Sequence, residues 1–324
     1  MKAFITAQLT DDAMDYIKKH ADVKVGGWAY DGKILKPEEL VEQAGNPDFM
    51  VICYEEITDY VLDNIPNLKF ISCTRGGAEN IDREVVNRHK NVFICNAPGR
   101  NANAVAEVTI GLMINISRHI SLTYRYIMNR DWEKAKWFDS GSTNEKPFMG
   151  YEMEGKILGL VGFGEIGRRV AKIARDGFGM QIIFYDPYVK EAENAVGKSL
   201  EEVLSKSDFV SLHTFPTDET IGMINEKTLR LMKPSAYLIN TARGKLIVES
   251  DLYVALKEHW IAGAALDTLY PEPIQPDNPL LDLDNILITP HIGGASIDIL
   301  PQQTKIAMLD VRAFIETGRP IHVL

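Results

Sequence analysis

The sequence predicts an α/β protein with two doubly wound parallel sheets, each in a domain of its own. Two series of short apolar segments, over residues 2–95 and 156–289, alternate with polar segments that can form helices. A GxGxxG pattern stands directly after the first apolar segment of the second series, where a strand would turn into a helix. The length of 324 residues also favours two domains over one.

The first series predicts a parallel sheet because its apolar runs are short and are separated by polar, helix-forming stretches such as PEELVEQAG and DREVVNRHK. Cys53, Cys73 and Cys95 each end one of these runs. An odd number of cysteines without a CxxC pair predicts buried thiols that close the strands, and neither a disulfide framework nor a metal site. The predicted strands are KAFIT (2–6), FMVIC (49–53), LKFISC (68–73) and NVFIC (91–95).

The second series predicts a second parallel sheet, with helices in segments such as SLEEVLSKS and ESDLYVALKEHW. Residues 101–120 carry apolar residues three and four positions apart, which predicts one long helix that links the two domains. Residues 131–148 are the least regular stretch and are predicted to form a surface loop. The predicted strands are KILGLVG, MQIIFYD, DFVSLH, AYLIN, IAGAALD and NILIT.

The tail of the chain predicts that the first domain is discontinuous. Residues 296–317 have a helical pattern, interrupted early by Pro301, and follow the last strand of the second sheet. A helix there can lead the chain back to the first sheet. We therefore predict a first domain of residues 1–103 and 291–324 around a second domain of residues 104–290.

Composition argues against two classes of partner. The chain has 45 Asp and Glu against 35 Lys and Arg, a net charge of -10, and no long basic run that could follow a phosphate backbone. We therefore expect no nucleic-acid partner. The N-terminal segment MKAFITAQLTDDAM meets acidic residues after a short apolar stretch, so neither a signal peptide nor a membrane span is expected. These features predict a soluble, cytoplasmic protein.

The GxGxxG pattern lies in a context typical of a dinucleotide site. Gly162, Gly164 and Gly167 follow an apolar run and precede a helical segment, and QIIFYD ends in Asp186, 19 residues after Gly167. The first glycine permits a tight turn, the second lets the backbone approach a pyrophosphate, and the third lets the helix pack on the strand. A carboxylate at Asp186 would bind the ribose hydroxyls and repel a 2'-phosphate, which predicts NAD over NADP. The alternative is that these glycines only turn the chain.

Charged residues also follow three later strands of the second series. They are Arg243 in INTARG, Asp267 and Glu272 in ALDTLYPEP, and His291 in ITPHIGG. In an open α/β sheet, ligands bind beyond the carboxyl ends of the strands, so we expect these side chains to converge on one bound cofactor. Taken singly, the arginine could form a structural ion pair, the glutamate could be solvated and the histidine could be packed.

Together with VGFGEIGRRVA, these segments make nearly the whole chain resemble the D-isomer-specific 2-hydroxyacid dehydrogenase family. The resemblance implies a Rossmann NAD-binding domain inserted into a flavodoxin-like substrate domain. It implies an enzyme that interconverts a D-2-hydroxy acid and its 2-keto acid. Arg243 would hold the substrate carboxylate, and His291 would be the acid/base. Glu272 would orient the ring of His291 and favour its protonated form, and Asp267 would contact the nicotinamide end.

Further site residues are expected on both domains, and no metal is expected. Glu165, Ile166, His213 and Thr241 are predicted to complete the cofactor site, because they lie in the glycine motif or at strand ends. In the family a glycine-containing loop offers N–H groups to the substrate carboxylate, and Gly76 and Gly77 in CTRGGAENID match that place.

Arg75 and Arg100 fall in predicted strand-to-helix loops of the first domain. They could bind a second anion of the substrate or form surface salt bridges. The first option predicts a polar or phosphorylated substrate of the 3-phosphoglycerate or hydroxypyruvate type, and not a branched aliphatic one. If the chain is of the phosphoglycerate dehydrogenase type, its end at HVL predicts that no appended regulatory domain follows.

The resemblance leaves one alternative function and one quaternary expectation. A similar fold and triad occur in NAD-sensing transcriptional corepressors, so a binding protein with little or no turnover is the alternative. The family is commonly dimeric through the cofactor domain, which predicts a homodimer. The apolar stripe of the helix at residues 101–120 could form that interface or could pack in the core.

Overall fold

The computed structural model describes residues 1–77, 80–135 and 148–324 and divides the chain into two compact units. Unit 1 is Met1–Asn101 with Ser296–Leu324, and unit 2 is Ala102–Ala295. The chain returns from unit 2 to unit 1 after Ala295, five residues after residue 290, the expected end of the cofactor domain. The reason is that Ile292 and Gly293 are hydrogen-bonded to Asp267 of unit 2.

Unit 1 contains a five-stranded, fully parallel sheet in the order β2-β1-β3-β4-β5. This is the order of flavodoxin-like doubly wound folds. Its strands are β1 (Lys2–Ile5), β2 (Asp22–Val25), β3 (Phe49–Ile52), β4 (Phe70–Cys73) and β5 (Phe93–Cys95), and its first helices are α1 (Asp11–His20), α2 (Trp28–Asp31), α3 (Pro37–Ala44), α4 (Asp59–Asn64) and α5 (Arg83–Arg88).

Alternate residues of these strands face opposite sides of the sheet and build two apolar layers. One layer contains Phe4, Met50 and Ile71, and the other contains Ile5, Phe49 and Phe70. The three cysteines are free and buried, which confirms the prediction of buried thiols. Burial raises the pKa of the Cys73 thiol to about 11, so this group stays protonated and unreactive at neutral pH.

Unit 2 contains a seven-stranded parallel sheet in the order β12-β11-β10-β9-β6-β7-β8. From β6 the chain builds outward to β8 on one side and then returns to β9 to build outward on the other. This is a Rossmann-type order with one additional strand, and its topological switch point lies between β6 and β9. The strands are β6 (Ile157–Val161), β7 (Gln181–Tyr185), β8 (Val196–Gly197), β9 (Phe209–Leu212), β10 (Tyr237–Asn240), β11 (Gly263–Leu266) and β12 (Ile286–Ile288).

The helices of unit 2 correct two predictions. The expected helix at residues 101–120 ends at Ser117, because His119 adopts a left-handed backbone with φ 54° and a second helix begins at Ile120. The expected loop at 131–148 begins with a short helix, and its residues 136–147 lie outside the described residues. The helices are α6 (Ala102–Ser117), α7 (Ile120–Met128), α8 (Trp132–Ala135), α9 (Glu165–Phe178), α10 (Leu200–Lys206), α11 (Glu226–Leu229) and α12 (Glu249–Lys257).

The last helix, α13 (Ile299–Thr317), belongs to unit 1. Pro301 lies in its first turn, where a missing N–H leaves no intrahelical bond unmade, so the helix continues through it. Met308, Val311 and Phe314 pack against the apolar layer that contains Phe49 and Phe70. Across the described ranges, no helix combines the length and the apolar character that a membrane crossing requires.

Candidate active site

The glycine turn lies at the switch point of the unit 2 sheet, between the end of β6 and the start of α9. Gly162 has a φ of 97°, and a Cβ there would lie 2.4 Å from the backbone oxygen of His213. A Cβ on Gly167 would lie 2.5 Å from the oxygen of Gly162. Both positions therefore require glycine for the packing of the protein itself.

Gly164 differs from these two glycines because no described atom lies within 4 Å of an added Cβ. Its φ of -79° is open to any residue. Gly164 caps the N-terminus of α9, where unpaired backbone N–H groups and the helix dipole favour an anion. The open space at Gly164 and the exposed helix end fit the pyrophosphate of a dinucleotide.

We expect Gly164→Ala to weaken NADH binding without unfolding the protein. The added methyl group occupies the space of the pyrophosphate, so the Kd for NADH should rise by about tenfold or more, or about 1.4 kcal/mol. The free energy of unfolding should change by no more than about 1 kcal/mol. Titration of NADH fluorescence measures the first quantity and urea denaturation measures the second.

Gly177→Ala is the matched control, because Gly177 lies near the other end of α9 and an added Cβ there also has no described atom within 4 Å. This variant should keep the wild-type Kd for NADH. Equal NADH affinities for the two variants would show that Gly164 does not face the cofactor.

Asp186 follows β7, the strand next to β6. Its Oδ2 accepts the N–H of Phe163 in the glycine turn at 2.7 Å, and its Oδ1 accepts the N–H groups of Tyr188 and Val189 at 2.8 and 3.0 Å. These bonds fix the carboxylate beside the turn. Oδ1 already accepts two N–H groups, whereas Oδ2 accepts only one, so Oδ2 has an acceptor position left for a ribose hydroxyl.

The two arginines at the start of α9 lie close to this turn. Arg168 is exposed, and its guanidinium lies over the ring of Phe163 at 4.9 Å. Arg169 pairs with Glu165 one turn earlier at 3.3 Å. Both side chains are thus engaged on the surface of the helix, and Glu165 and Ile166 form the first turn of α9.

His213 follows β9 on the other side of the switch point. Its Nε2 lies 2.9 Å from the hydroxyl of Ser211, and its Nδ1 is buried without a hydrogen-bond partner among the described residues. Burial lowers the pKa of His213 to about 3. The ring is therefore neutral at physiological pH, and it can offer a hydrogen bond but not a positive charge to a cofactor.

The buried ring of His213 predicts a loss of stability in acid. Below its ordinary pKa of about 6.5 the unfolded chain takes up a proton that the folded chain, with a pKa of about 3, does not, so unfolding becomes easier as pH falls. Between about pH 7.5 and pH 5 this group should remove about 2 kcal/mol from the free energy of unfolding. Urea denaturation of wild type and His213→Gln at both pH values measures it. An identical pH dependence in the two proteins would contradict the assignment.

His291 lies at a turn after β12 with a left-handed φ of 57°, which is uncommon for a residue with a side chain. Its Nδ1 lies 2.8 Å from Oε2 of Glu272, whose Oε1 accepts the N–H of Leu269 at 3.0 Å. Since the carboxylate can only accept, Nδ1 carries the hydrogen. Nε2 makes no hydrogen bond to the part of the chain that the structure describes, and the ring is about half exposed.

Asp267 holds the turn that carries His291. The residue is 1% exposed, and its carboxylate accepts the hydroxyl of Thr289 at 2.6 Å and the N–H groups of Ile292 and Gly293 at 2.8 and 2.7 Å. These three donors lie on both sides of His291 in the chain. The family resemblance implies a contact between Asp267 and the nicotinamide, whereas these hydrogen bonds all go to the turn.

Arg243 follows β10 and has a backbone fixed by Asn240. The amide of Asn240 donates to the oxygen of Arg243 at 2.9 Å and accepts the N–H of Ala242 at 3.0 Å. A Cβ on the next residue, Gly244, would lie 2.0 Å from the carbonyl carbon of Leu269, so only glycine permits this approach of the two loops. Sequence reasoning missed Asn240, although an amide that ends an apolar strand was a signal for it.

Thr241, which was predicted to contact the cofactor, is buried, and its hydroxyl lies 2.9 Å from that of Thr109 on α6. This hydroxyl therefore links the end of β10 to α6. Its side chain supports the strand end that carries Arg243.

The predicted substrate residues of unit 1 have separate surroundings. Gly76 accepts the amide of Asn96 through its backbone oxygen at 2.8 Å, in a loop directly after β4 that also contains Gly77. The guanidinium of Arg75 lies over the ring of Tyr54 at 5.1 Å. Arg100 instead donates to the side chain of Gln303 on α13.

Comparisons with known proteins show which family and fold the chain is similar to. A family model described as D-isomer specific 2-hydroxyacid dehydrogenase, NAD binding domain, matches residues 110–293. The chain is 36% identical to a glyoxylate reductase of Pyrococcus furiosus over 320 residues, 97% of this chain and 92% of that protein. It is also 36% identical to a glyoxylate reductase of Thermococcus litoralis over 326 residues, 98% of this chain and 95% of that protein.

Among solved structures, the chain is similar to an acyclic imino acid reductase in complex with NADPH and D-Arg. The TM-score is 0.83 at 27% sequence identity, and the similarity covers 100% of both chains.

Proposed function

Because the chain belongs to the D-isomer specific 2-hydroxyacid dehydrogenase family and is an NAD-dependent oxidoreductase, we propose that Arg243, Glu272 and His291 carry out its reaction. The reaction is the interconversion of a D-2-hydroxy acid and its 2-keto acid. The observation that supports these roles best is the pair of His291 and Glu272 at 2.8 Å, at the carboxyl end of the sheet that forms the NAD-binding domain.

The proposed role of His291 is to transfer the proton of the reaction at Nε2. Reduction of a 2-keto acid adds a hydride to C2 and a proton to the carbonyl oxygen, and NADH supplies the hydride when it is bound. His291 donates the proton in reduction and accepts it in oxidation. Glu272 keeps the hydrogen on Nδ1 and fixes the plane of the ring, so that Nε2 is the atom that exchanges the proton.

The proposed role of Arg243 is to hold the carboxylate of the substrate. A planar guanidinium binds a carboxylate through two parallel hydrogen bonds, which fixes C2 and its oxygen in one orientation. The amide of Asn240 and the close approach at Gly244 set the backbone from which this side chain extends. The loop at Gly76 and Gly77 in unit 1 is proposed to bind a substrate carboxylate through its N–H groups.

The cofactor preference is proposed to be NAD over NADP. Asp186 presents a fixed carboxylate at the end of β7, and a 2'-phosphate at that place would meet a like charge. Glu165, Ile166, His213 and Thr241 are proposed to complete the cofactor site, while Asp267 is proposed to act on it through the turn of His291.

The substrate is proposed to be a small polar 2-keto acid. The relatives are named for glyoxylate, and the arginines of unit 1 favour a polar or phosphorylated substrate of the hydroxypyruvate or 3-phosphoglycerate type. The test follows NADH absorbance with purified protein and glyoxylate, hydroxypyruvate, phosphohydroxypyruvate, pyruvate and branched keto acids, with NADPH in parallel. A preference for branched acids would contradict the substrate proposal. Binding of NADH without any turnover would favour the corepressor alternative, which no observation here supports.

A homodimer is proposed, with its interface on α7 and α8 and not on α6. The stripe of α6 packs inside unit 2, where Ile110, Met113 and Ile116 belong to the core. By contrast, large apolar side chains four residues apart are exposed along α7 and α8; they are Ile120, Tyr124, Met128 and Trp132. An exposed apolar face of this kind is typical of a protein interface.

We expect the wild-type protein to be a dimer and the double variant Tyr124→Lys, Met128→Lys to be a monomer, because two charges would be buried in the interface. Light scattering after size-exclusion chromatography measures the mass. The control is Tyr188→Lys, a residue that is 91% exposed elsewhere on unit 2. A monomeric wild type, or a double variant that stays dimeric, would contradict the proposed interface.

A further inference from the structure

We propose that a cavity in unit 1 receives the side chain of the substrate and selects a 2-keto acid whose side chain ends in an anion. This inference rests on the proposed function. The cavity has a volume of about 360 Å³ and is lined by residues that include Ile34, Lys36, Pro37, Tyr54, Glu56 and Arg75. Glyoxylate has no side chain and would leave this space to water.

The cavity lies at the carboxyl edge of the unit 1 sheet, beside the loop proposed to bind the substrate carboxylate. Tyr54 follows β3, and Arg75 follows β4, the next strand in the sheet. Arg75 directly precedes Gly76 and Gly77. A 2-keto acid whose carboxylate binds these N–H groups is therefore next to Arg75, which forms part of the cavity wall.

A buried carboxylate fixes the aromatic wall. Glu55 is fully buried and accepts the N–H groups of Tyr54 and Trp28 at 3.2 and 3.3 Å, in addition to the hydroxyl of Thr6. The ring of Tyr54 packs edge-to-face against that of Trp28 at 4.8 Å, and the guanidinium of Arg75 lies over the same ring. The cation of Arg75 is thus held in a defined position by contacts that do not involve substrate.

The charges of the lining favour an anion. Among the described residues of the lining, Lys36 and Arg75 carry positive side chains and the exposed Glu56 carries a negative one. Ile34, Pro37 and Tyr54 also line the cavity and offer apolar contacts for the methylene groups of a chain. A side chain with a short apolar stem and a terminal carboxylate or phosphate matches both features, and arginine binds either group through paired hydrogen bonds.

The experiment compares substrates that differ only in the terminal anion. One pair is 2-oxoglutarate and 2-oxopentanoate, and the other is phosphohydroxypyruvate and hydroxypyruvate. The measured quantity is the ratio of kcat/KM for the acid with the charged side chain, called the anionic member, to kcat/KM for the acid with the uncharged side chain, called the neutral member. We expect a ratio above one for at least one pair in wild type. The pair with the larger ratio shows whether the cavity prefers a carboxylate or a phosphate.

Three variants test the cavity. Arg75→Met should lower this ratio by about tenfold or more, because a charge-assisted hydrogen bond is lost. Lys36→Met should also lower this ratio. Because Lys36 is exposed, this variant keeps the test valid if Arg75→Met does not fold. Lys33→Met is the control, because Lys33 pairs with Glu39 and lies three residues away on the same segment. It should leave the ratio unchanged.

The outcomes separate the two proposals. If wild type reduces glyoxylate or the neutral acids but shows no preference for either anionic member, this inference fails while the proposed function stands. An unchanged ratio in both Arg75→Met and Lys36→Met overturns it as well. If wild type reduces none of these acids, the proposed function fails and this inference fails with it.

Discussion

His291→Gln is expected to lower kcat for 2-keto acid reduction by about 10²- to 10⁴-fold, the range typical of a lost general acid. The pair with Glu272 leaves Nε2 as the atom of His291 that can exchange a proton with the substrate. Glutamine is close in size and polar but cannot transfer a proton at neutral pH. Because the ring is not part of the glycine turn, the Kd for NADH should stay within about twofold of wild type.

His259→Gln is a matched control, because His259 is exposed and has a left-handed φ of 55°, close to the 57° of His291. The same replacement at both positions separates the loss of a proton donor from the effect of a new side chain on a left-handed backbone. Steady-state rates of NADH oxidation measure kcat for both variants. Equal kcat values would show that His291 is not the acid of the reaction.

Arg243→Lys is expected to lower kcat/KM by about 10- to 10²-fold, because one of two charge-assisted hydrogen bonds to the substrate carboxylate is lost, at a cost of about 1.5–3 kcal/mol. Lysine keeps the charge but cannot form two parallel hydrogen bonds to a carboxylate. The effect should therefore include a raised KM and a lower kcat, since C2 is no longer held in one orientation. NADH affinity should remain near that of wild type.

Arg230→Lys serves as the control for this change, since Arg230 lies on the surface, where it pairs with Glu226 and stacks on Trp260. It should leave both kinetic constants unchanged. The roles proposed for Arg243 would be contradicted if Arg243→Lys kept the wild-type kcat/KM on every keto acid that the enzyme reduces.

Local patterns predicted much of the cofactor side correctly. The apolar run KILGLVG before the glycine motif predicted a strand within residues 156–162, where β6 spans Ile157–Val161, and the alternation of strands and helices predicted both parallel sheets. These features depend on neighbours in the sequence, where periodicity and turn chemistry are visible. The requirement for glycine at Gly162 has a different origin, because it comes from the backbone of His213 on another strand.

Features that depend on distant contacts could not be predicted in this way. Strand β2 was missed because DVKV is a short edge strand with two charged residues and little burial. The burial of Glu55 follows from donors that include Thr6, 49 residues earlier in the chain. Likewise, Asp267 reads as a charged residue at a strand end, and only the fold shows that it binds the turn of His291.

The most direct test of the proposed active site is the stereochemistry of the product. Purified protein would reduce with NADH whichever of hydroxypyruvate, pyruvate and the longer keto acids it turns over fastest, because glyoxylate gives an achiral product. Chiral chromatography would then identify the hydroxy acid, with His291→Gln as the parallel reaction. We predict the D enantiomer alone from wild type and almost no product from the variant. An L or racemic product, or equal product from His291→Gln, would contradict the assignment of this site.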